Sequence, residues 1–71
     1  MTQIIAPITG IVWKILVSVG EEVTPNQPII LLESMKMEVP ACAPSAGTIN
    51  SINVSPGDSV EDGEALATLA I

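Results

Sequence analysis

The chain repeats itself, and this repeat limits the possible folds more than any other feature of the sequence. Residues Ala6 to Leu32 align without a gap with Ala43 to Leu69, at a constant offset of 37 residues. The identical pairs are Ala6 and Ala43, Pro7 and Pro44, Gly10 and Gly47, Ile15 and Ile52, Val17 and Val54, Ser18 and Ser55, Gly20 and Gly57, Val23 and Val60, and Leu32 and Leu69. The chain is therefore two copies of one unit, and neither copy is expected to bury its apolar face alone.

Each copy has the pattern of β structure. A turn with Pro and Gly leads into a run rich in Val and Ile, and a Ser-x-Gly-acidic turn at 18–21 and 55–58 precedes a second apolar run. Short strands with frequent turns predict an all-β sandwich or flattened barrel. Positions that are large and apolar in both copies are the core candidates: Val12, Ile15, Val17, Val23 and Ile29, with Ile49, Ile52, Val54, Val60 and Leu66. Val12 and Ile15 break the two-residue alternation, which predicts a β-bulge or a sharp twist between them.

Composition indicates how the core is built and where the protein resides. The chain has 71 residues, which predicts a single domain. Its one tryptophan is its only aromatic residue, so the core is expected to be aliphatic. We expect Trp13 to be a partly buried packing residue and Cys42 a small buried hydrophobe rather than a nucleophile. A lone cysteine and the lack of a signal-like start predict a cytoplasmic protein. Pro7, Gly10 and Lys14 interrupt the most apolar stretch, so no membrane insertion is expected.

Charge and residue types exclude several classes of function. Eight acidic residues against two lysines give a net charge of −6, which would repel nucleic acid. The chain has no histidine and no recognisable pair of nucleophile and base, so no catalytic residues are expected. The spacing of the acidic residues shows no metal-binding loop.

The segment Glu33 to Cys42 joins the two copies, and its local propensity is ambiguous. Residues 31–38 are mostly good helix formers, which favours a short helix. The flanking segments are long enough only for strands, and antiparallel strands need a tight connection. We therefore predict a hairpin with Met35 and Lys36 at its tip.

The predicted hairpin breaks two local rules. Met-Lys is a poor sequence for a two-residue turn, which favours Asn-Gly. Pairing Ser34 with Met37 places Glu33 opposite Glu38, and like charges in this position are destabilising. Such breaches concentrate at functional sites, which makes Lys36 the candidate functional residue.

The segment Glu33-Ser34-Met35-Lys36-Met37 resembles the attachment motif of biotinyl domains, the biotin carboxyl carrier domains of biotin-dependent carboxylases. The resemblance covers nearly all of residues 1–71, including the opening at 6–10, residues 12–15 and the turn at 20–21. It implies a flattened barrel of two four-stranded antiparallel sheets with pseudo-twofold symmetry. It also implies an exposed hairpin lysine, with both termini at the opposite end. The repeat units are about 6–32 and 43–69, and the attachment hairpin is 33–42.

The same resemblance implies a carrier rather than an enzyme. Biotin protein ligase would join biotin to Lys36 as an amide, with Met35, Met37, Glu33 and Ser34 serving recognition. Biotin carboxylase and carboxyltransferase would then load and unload carboxylate, while the isolated domain stays monomeric. The ungapped repeat has no room for the extra thumb loop of some acetyl-CoA carboxylase carriers.

Two other interpretations stay open. A lipoyl domain shares the fold and the hairpin lysine, although its usual tip is Asp-Lys-Ala rather than Met-Lys-Met. An unmodified barrel of the same shape could serve as an adaptor module. Lys14 lacks the motif context and is expected to be an ordinary surface residue.

Overall fold

Eight short β-strands make up the regular structure of residues 2–70, the part of the chain that the computed structural model describes. The strands are β1 (Thr2–Ile5), β2 (Gly10–Ile15), β3 (Glu22–Val23), β4 (Pro28–Ser34), β5 (Met37–Cys42), β6 (Gly47–Ile52), β7 (Ser59–Val60) and β8 (Ala65–Ala70). They form two four-stranded antiparallel sheets, which confirms the predicted all-β fold. Within these residues, no helix has the length and apolar character needed to cross a membrane.

Strands of both sequence copies are mixed in each sheet. Sheet 1 has the order β1-β8-β6-β3 and sheet 2 has the order β5-β4-β2-β7. Thus β3 of the first copy pairs with β6 of the second, and β7 of the second pairs with β2 of the first. The repeat relates β4, β2 and β7 of sheet 2 to β8, β6 and β3 of sheet 1. This correspondence confirms the pseudo-twofold symmetry.

Backbone hydrogen bonds between the two copies also occur in matched pairs. The amide of Ala6 donates to the carbonyl of Glu64 at 2.9 Å, and the equivalent amide of Ala43 donates to Gln27 at 2.9 Å. Further matched bonds run from Gly20 N to Ile49 O at 2.8 Å and from Gly57 N to Val12 O at 2.7 Å. Each copy therefore closes turns of the other, and the two halves depend on each other for their buried backbone partners.

The Ser-x-Gly-acidic turns are stabilised by their own carboxylates. The amide of Ser18 donates to Oε1 of Glu21 at 3.3 Å, and the amide of Ser55 donates to Oδ2 of Asp58 at 2.9 Å. Gly20 and Gly57 occupy these turns with φ of 91° and 95°, a conformation that glycine adopts without steric cost. The carboxylate of each turn thus accepts a hydrogen bond from a backbone amide of the same turn.

The predicted bulge is present in both copies. The pairing of β2 with β4 shifts between Val12 and Lys14, and that of β6 with β8 shifts between Ile49 and Ser51. Trp13 lies at the first shift and keeps 50% of its side chain exposed, outside the core. Trp13 therefore contributes less to packing than the sequence suggested, because it follows the inward-facing Val12 and so points to the outer surface of the sheet.

The core is entirely apolar among the described residues. Its buried members are Ile4, Ala6, Val12, Val17, Val23, Ile29, Ile30, Leu32, Ala41, Ala43, Ile49, Val60, Leu66, Ala67 and Leu69. Three core candidates, Ile15, Ile52 and Val54, are only partly buried and pack against this cluster. Ile15 and Ile52 end their strands, where the sheets cover them incompletely. Cys42 ends β5 in the same way and is partly exposed, so the prediction that it is buried is wrong.

Replacing Leu66 with Ala should test the contribution of the second copy to the core. Leu66 is 0% exposed, so we expect Leu66→Ala to lower the free energy of unfolding by roughly 2–5 kcal/mol. The matched control is Leu16→Ala, because Leu16 is 40% exposed and should lose far less. Urea unfolding followed by circular dichroism measures both. Equal midpoints for the two variants would contradict this account of the core.

Candidate functional site

The hairpin of β4 and β5 presents the candidate lysine. Its register runs from Pro28 opposite Cys42 to Ser34 opposite Met37, which leaves Met35 and Lys36 as a two-residue turn. The φ angles of Met35 and Lys36 are 51° and 67°. Positive φ at both central residues is the requirement of a type I′ hairpin turn. The predicted tip is therefore confirmed, and the alternative of a helix is wrong.

The residues at this tip are unusual for their backbone conformation. Elsewhere in residues 2–70, positive φ is found at Asn26 and at three glycines, Gly20, Gly57 and Gly63. Asn and Gly tolerate this region, whereas other residues lose roughly 1–2 kcal/mol there. The turn chemistry is thus conventional everywhere except at Met35 and Lys36. Strain retained at one exposed turn indicates a functional requirement for these two side chains.

The tip is open to solvent. Met35 is 91% exposed and Met37 is 63% exposed, and Lys36 between them is exposed as well. The side-chain hydrogen bonds formed within residues 2–70 involve residues other than Lys36. The lysine amine is consequently accessible to an enzyme that approaches the tip.

Two carboxylates lie behind the tip on neighbouring strands. Glu33 is directly opposite Glu38, as predicted, and Ser34 is opposite Met37. Both glutamates are exposed, so water screens their repulsion, which costs a fraction of a kcal/mol. The base of the hairpin therefore carries concentrated negative charge next to the lysine.

Gly10 allows strand β2 to approach the base of the hairpin. A Cβ atom at this position would lie 2.6 Å from the carbonyl oxygen of Glu33. The repeat equivalent, Gly47, has the same relation to Ala70, with a distance of 2.8 Å. Sequence reasoning assigned these glycines to turns and missed this role. Their identity in both copies was the available signal, although it did not reveal the partner strand.

The equivalence of Glu33 and Ala70 also locates the other end of the sandwich. Thr2 pairs with Leu69, and Thr48 pairs with Ala70, so the first and last described residues lie near each other in sheet 1. An open groove occurs at this end rather than beside Lys36, and it is lined by Glu22, Val23, Thr24, Ala46, Gly47, Thr48 and Ala70. Residues 2–70 contain no cluster of three or more His, Cys, Asp or Glu side chains arranged to hold a metal ion.

The fold and the site together define a small β-sandwich domain that presents one lysine on a strained, exposed hairpin. The chain belongs to the biotin/lipoyl family described as "Biotin-requiring enzyme", whose sequence profile matches residues 1–69.

Two curated relatives are similar over most of the chain. The biotin carboxyl carrier protein of Streptococcus mutans is 48% identical over 92% of the chain, and the chain spans 50% of that relative. The biotin carboxyl carrier protein of acetyl-CoA carboxylase from Solanum lycopersicum is 41% identical, and the match covers 93% of the chain and 94% of the relative. The chain thus spans half the length of one carrier and nearly all of the other.

A solved structure shows the same architecture. The crystal structure of Kluyveromyces lactis urea carboxylase matches 97% of the chain with a TM-score of 0.93 and 30% identity. The matching region is 6% of that much longer protein. The domain shape is therefore shared with a segment of a large carboxylase.

Biotin is the cofactor of this domain, as the family and the carrier relatives show. Covalent attachment through an amide needs a primary amine that an enzyme can reach. The chain offers Lys36 on the exposed turn and Lys14 within β2. The turn lysine fits this requirement better, because its neighbours Met35 and Met37 are also largely exposed.

Replacing Met35 with Asn should relieve strain at the tip. Asn tolerates positive φ, so we expect Met35→Asn to raise the free energy of unfolding by about 0.5–1 kcal/mol. Met37→Asn is the matched control, because Met37 lies in β5, where Asn is disfavoured, and its stability should fall or stay unchanged. Urea midpoints distinguish the two. A destabilised Met35→Asn would refute the strained conformation of the turn.

Proposed function

We propose that residues 1–71 form a biotin carboxyl carrier domain in which Lys36 carries the biotin. The domain would comprise repeat units at about 6–32 and 43–69 and an attachment hairpin at 33–42. The single observation that supports this site most strongly is the pair of positive φ angles at Met35 and Lys36. A turn that keeps unfavourable residues on an exposed tip is expected where the side chains themselves are needed.

The chain's own part in the modification is nucleophilic. Nζ of Lys36 would attack the carbonyl carbon of a biotin carboxyl group that a biotin protein ligase has activated with ATP. The bond from that carbon to the activating phosphate oxygen would break, so that the phosphate group leaves, and the nitrogen would lose a proton as the amide forms. Forming the amide removes one positive charge from a chain whose net charge is −6. The modified domain would therefore favour partner surfaces that carry basic residues.

The attached biotin would supply carboxyl transfer, accepting carboxylate at a biotin carboxylase site and delivering it at a carboxyltransferase site. The domain would contribute reach and positioning, since tethering raises the local concentration of the cofactor at each site. The β4–β5 hairpin gives the arm a firm base because its inner side chains, Ile30, Leu32 and Ala41, are buried. Catalysis would reside in the partner enzymes, with this domain as a monomeric cytoplasmic carrier.

Intact-mass analysis should identify the modified residue. After co-expression with a biotin protein ligase, we expect one biotin on the wild-type chain and on Lys14→Arg, and none on Lys36→Arg. Lys36→Arg should unfold at nearly the wild-type urea concentration, because an exposed turn side chain contributes little to the core.

Three outcomes would contradict this assignment. Biotin on Lys36→Arg would place the attachment elsewhere. A lipoyl mass increment on the wild-type chain from cells that supply both cofactors would favour the lipoyl carrier instead, and an unmodified Lys36 would favour the adaptor module.

Met35 and Met37 should act in recognition rather than in folding. Exposed methionines offer adaptable apolar contacts, so the double replacement of Met35 and Met37 with Leu should slow biotinylation or carboxyl transfer. Its stability should stay close to that of the wild type. Val19→Leu is the control, because Val19 is 62% exposed and lies outside the hairpin. Wild-type rates in both assays would show that the methionines have no part in recognition.

A further inference from the structure

The outer surface of sheet 2 carries exposed apolar side chains near the lysine hairpin, beside the charged residues Glu33, Glu38 and Lys14. Val12 pairs with Leu32, and both are buried, so the pairs on either side of them in the register face outward. Ile11 is 51% exposed and pairs with Glu33, and Leu31 is partly exposed between Lys14 and Pro40. Together with Trp13, which is 50% exposed, Ile11 and Leu31 form what we call the outer patch.

The pseudo-twofold symmetry provides an internal comparison for this patch. The equivalents of Ile11, Trp13 and Leu31 in sheet 1 are Thr48, Asn50 and Thr68. There, Nδ2 of Asn50 donates to Oγ1 of Thr68 at 3.3 Å. Ser51, the equivalent of Lys14, shares a hydrogen bond of 2.7 Å between its Oγ and Oγ1 of Thr68.

Two sheets with the same architecture therefore differ in the chemistry of their outer surfaces. Sheet 1 shows that polar residues satisfy the fold at all three positions, so folding does not require Ile11, Trp13 and Leu31 to be apolar. Exposed apolar side chains grouped on one surface are typical of interaction sites. Tryptophan is also one of the residue types enriched among the energetically dominant residues of interfaces.

We propose that the outer patch is a docking surface for the biotin protein ligase that modifies Lys36. This inference rests on the proposed function and extends it to a surface outside the attachment motif. The matching surface of the ligase would have an apolar recess for Trp13 and basic side chains facing Glu33 and Glu38. Binding of cations there relieves the repulsion between these two opposed carboxylates.

The reach of the unmodified lysine selects the ligase among the possible partners. Strand residues advance by about 3.3 Å each, so the row of Ile11, Glu33 and Glu38 lies one step behind the closing pair Ser34 and Met37. During ligation, the amine of Lys36 must enter the active site of the ligase, and a single unmodified lysine side chain separates this amine from the domain. A ligase that approaches this closely would cover the row of Ile11 and reach Leu31, two residues or about 7 Å further along β4, whereas later enzymes meet a longer arm.

Exchange of surface residues between symmetric positions tests this proposal. The variant Ile11→Thr/Trp13→Asn/Leu31→Thr gives sheet 2 the residues that sheet 1 already carries. The control variant Ile5→Thr/Leu16→Thr removes exposed apolar side chains outside the patch, which are 41% and 40% exposed. Each full-length chain is assayed with a purified biotin protein ligase, and its unfolding is followed in urea.

We expect the patch variant to stay folded and to show a KM for ligation raised by roughly tenfold or more, the scale for loss of a dominant interface side chain. Its kcat should be unchanged, because Lys36 and its turn are intact. The control variant should keep the wild-type KM. Trp13→Asn alone should show the same direction of change, and it is the decisive variant if the triple replacement is unfolded.

Two results would overturn the docking surface. The first is a wild-type KM for the patch variant, whether its kcat falls or only later carboxylation is slowed. The second is an equal rise in KM in the control variant. A wild-type chain that takes up no biotin would instead refute the proposed function, so the two failures are distinguishable.

Discussion

The exchange of edge strands between the two halves is the constraint on which the rest of the structure depends. β3 completes the sheet that contains β6, and β7 completes the sheet that contains β2. Matched hydrogen bonds from Ala6 to Glu64 and from Ala43 to Gln27 reinforce this exchange. Neither half retains a closed set of backbone partners or a covered apolar face by itself. Folding of the two copies is therefore coupled, and the β4–β5 hairpin depends on both of them for its order.

The symmetry also explains why the two ends of the sandwich differ. The pairing of β4 with β5 corresponds to that of β8 with β1, and both pairs occupy equivalent sheet positions. A two-residue turn connects β4 directly to β5, whereas β8 and β1 come from opposite ends of the described chain. The turn between β4 and β5 therefore forms the tip that carries Lys36. At the equivalent position in sheet 1, the start of β1 and the end of β8 lie side by side. Lys36 owes its exposure to this difference.

Stability and function are separated along the same hairpin. The inner residues Ile30 and Leu32 are fully buried, while the strained turn and the opposed carboxylates Glu33 and Glu38 lie at the exposed end. Unfavourable local terms of this size are small beside the burial of an aliphatic core. The core can therefore hold Met35 and Lys36 in a conformation that their own preferences disfavour. The apolar outer patch is also not required for folding, because sheet 1 carries polar residues at the equivalent positions.

The sequence by itself determined the all-β class, most of the paired core positions, the bulge after Val12 and the tip at Met35 and Lys36. These features follow from periodicity, segment lengths and the repeat, which are local or can be compared directly along the chain. Only the tertiary structure decided that Trp13 is half exposed, that Ile15 and Cys42 are incompletely covered, and that Gly10 contacts the hairpin base. These features depend on which distant strands meet and where each sheet ends, and side-chain burial is a property of that packing rather than of the residue.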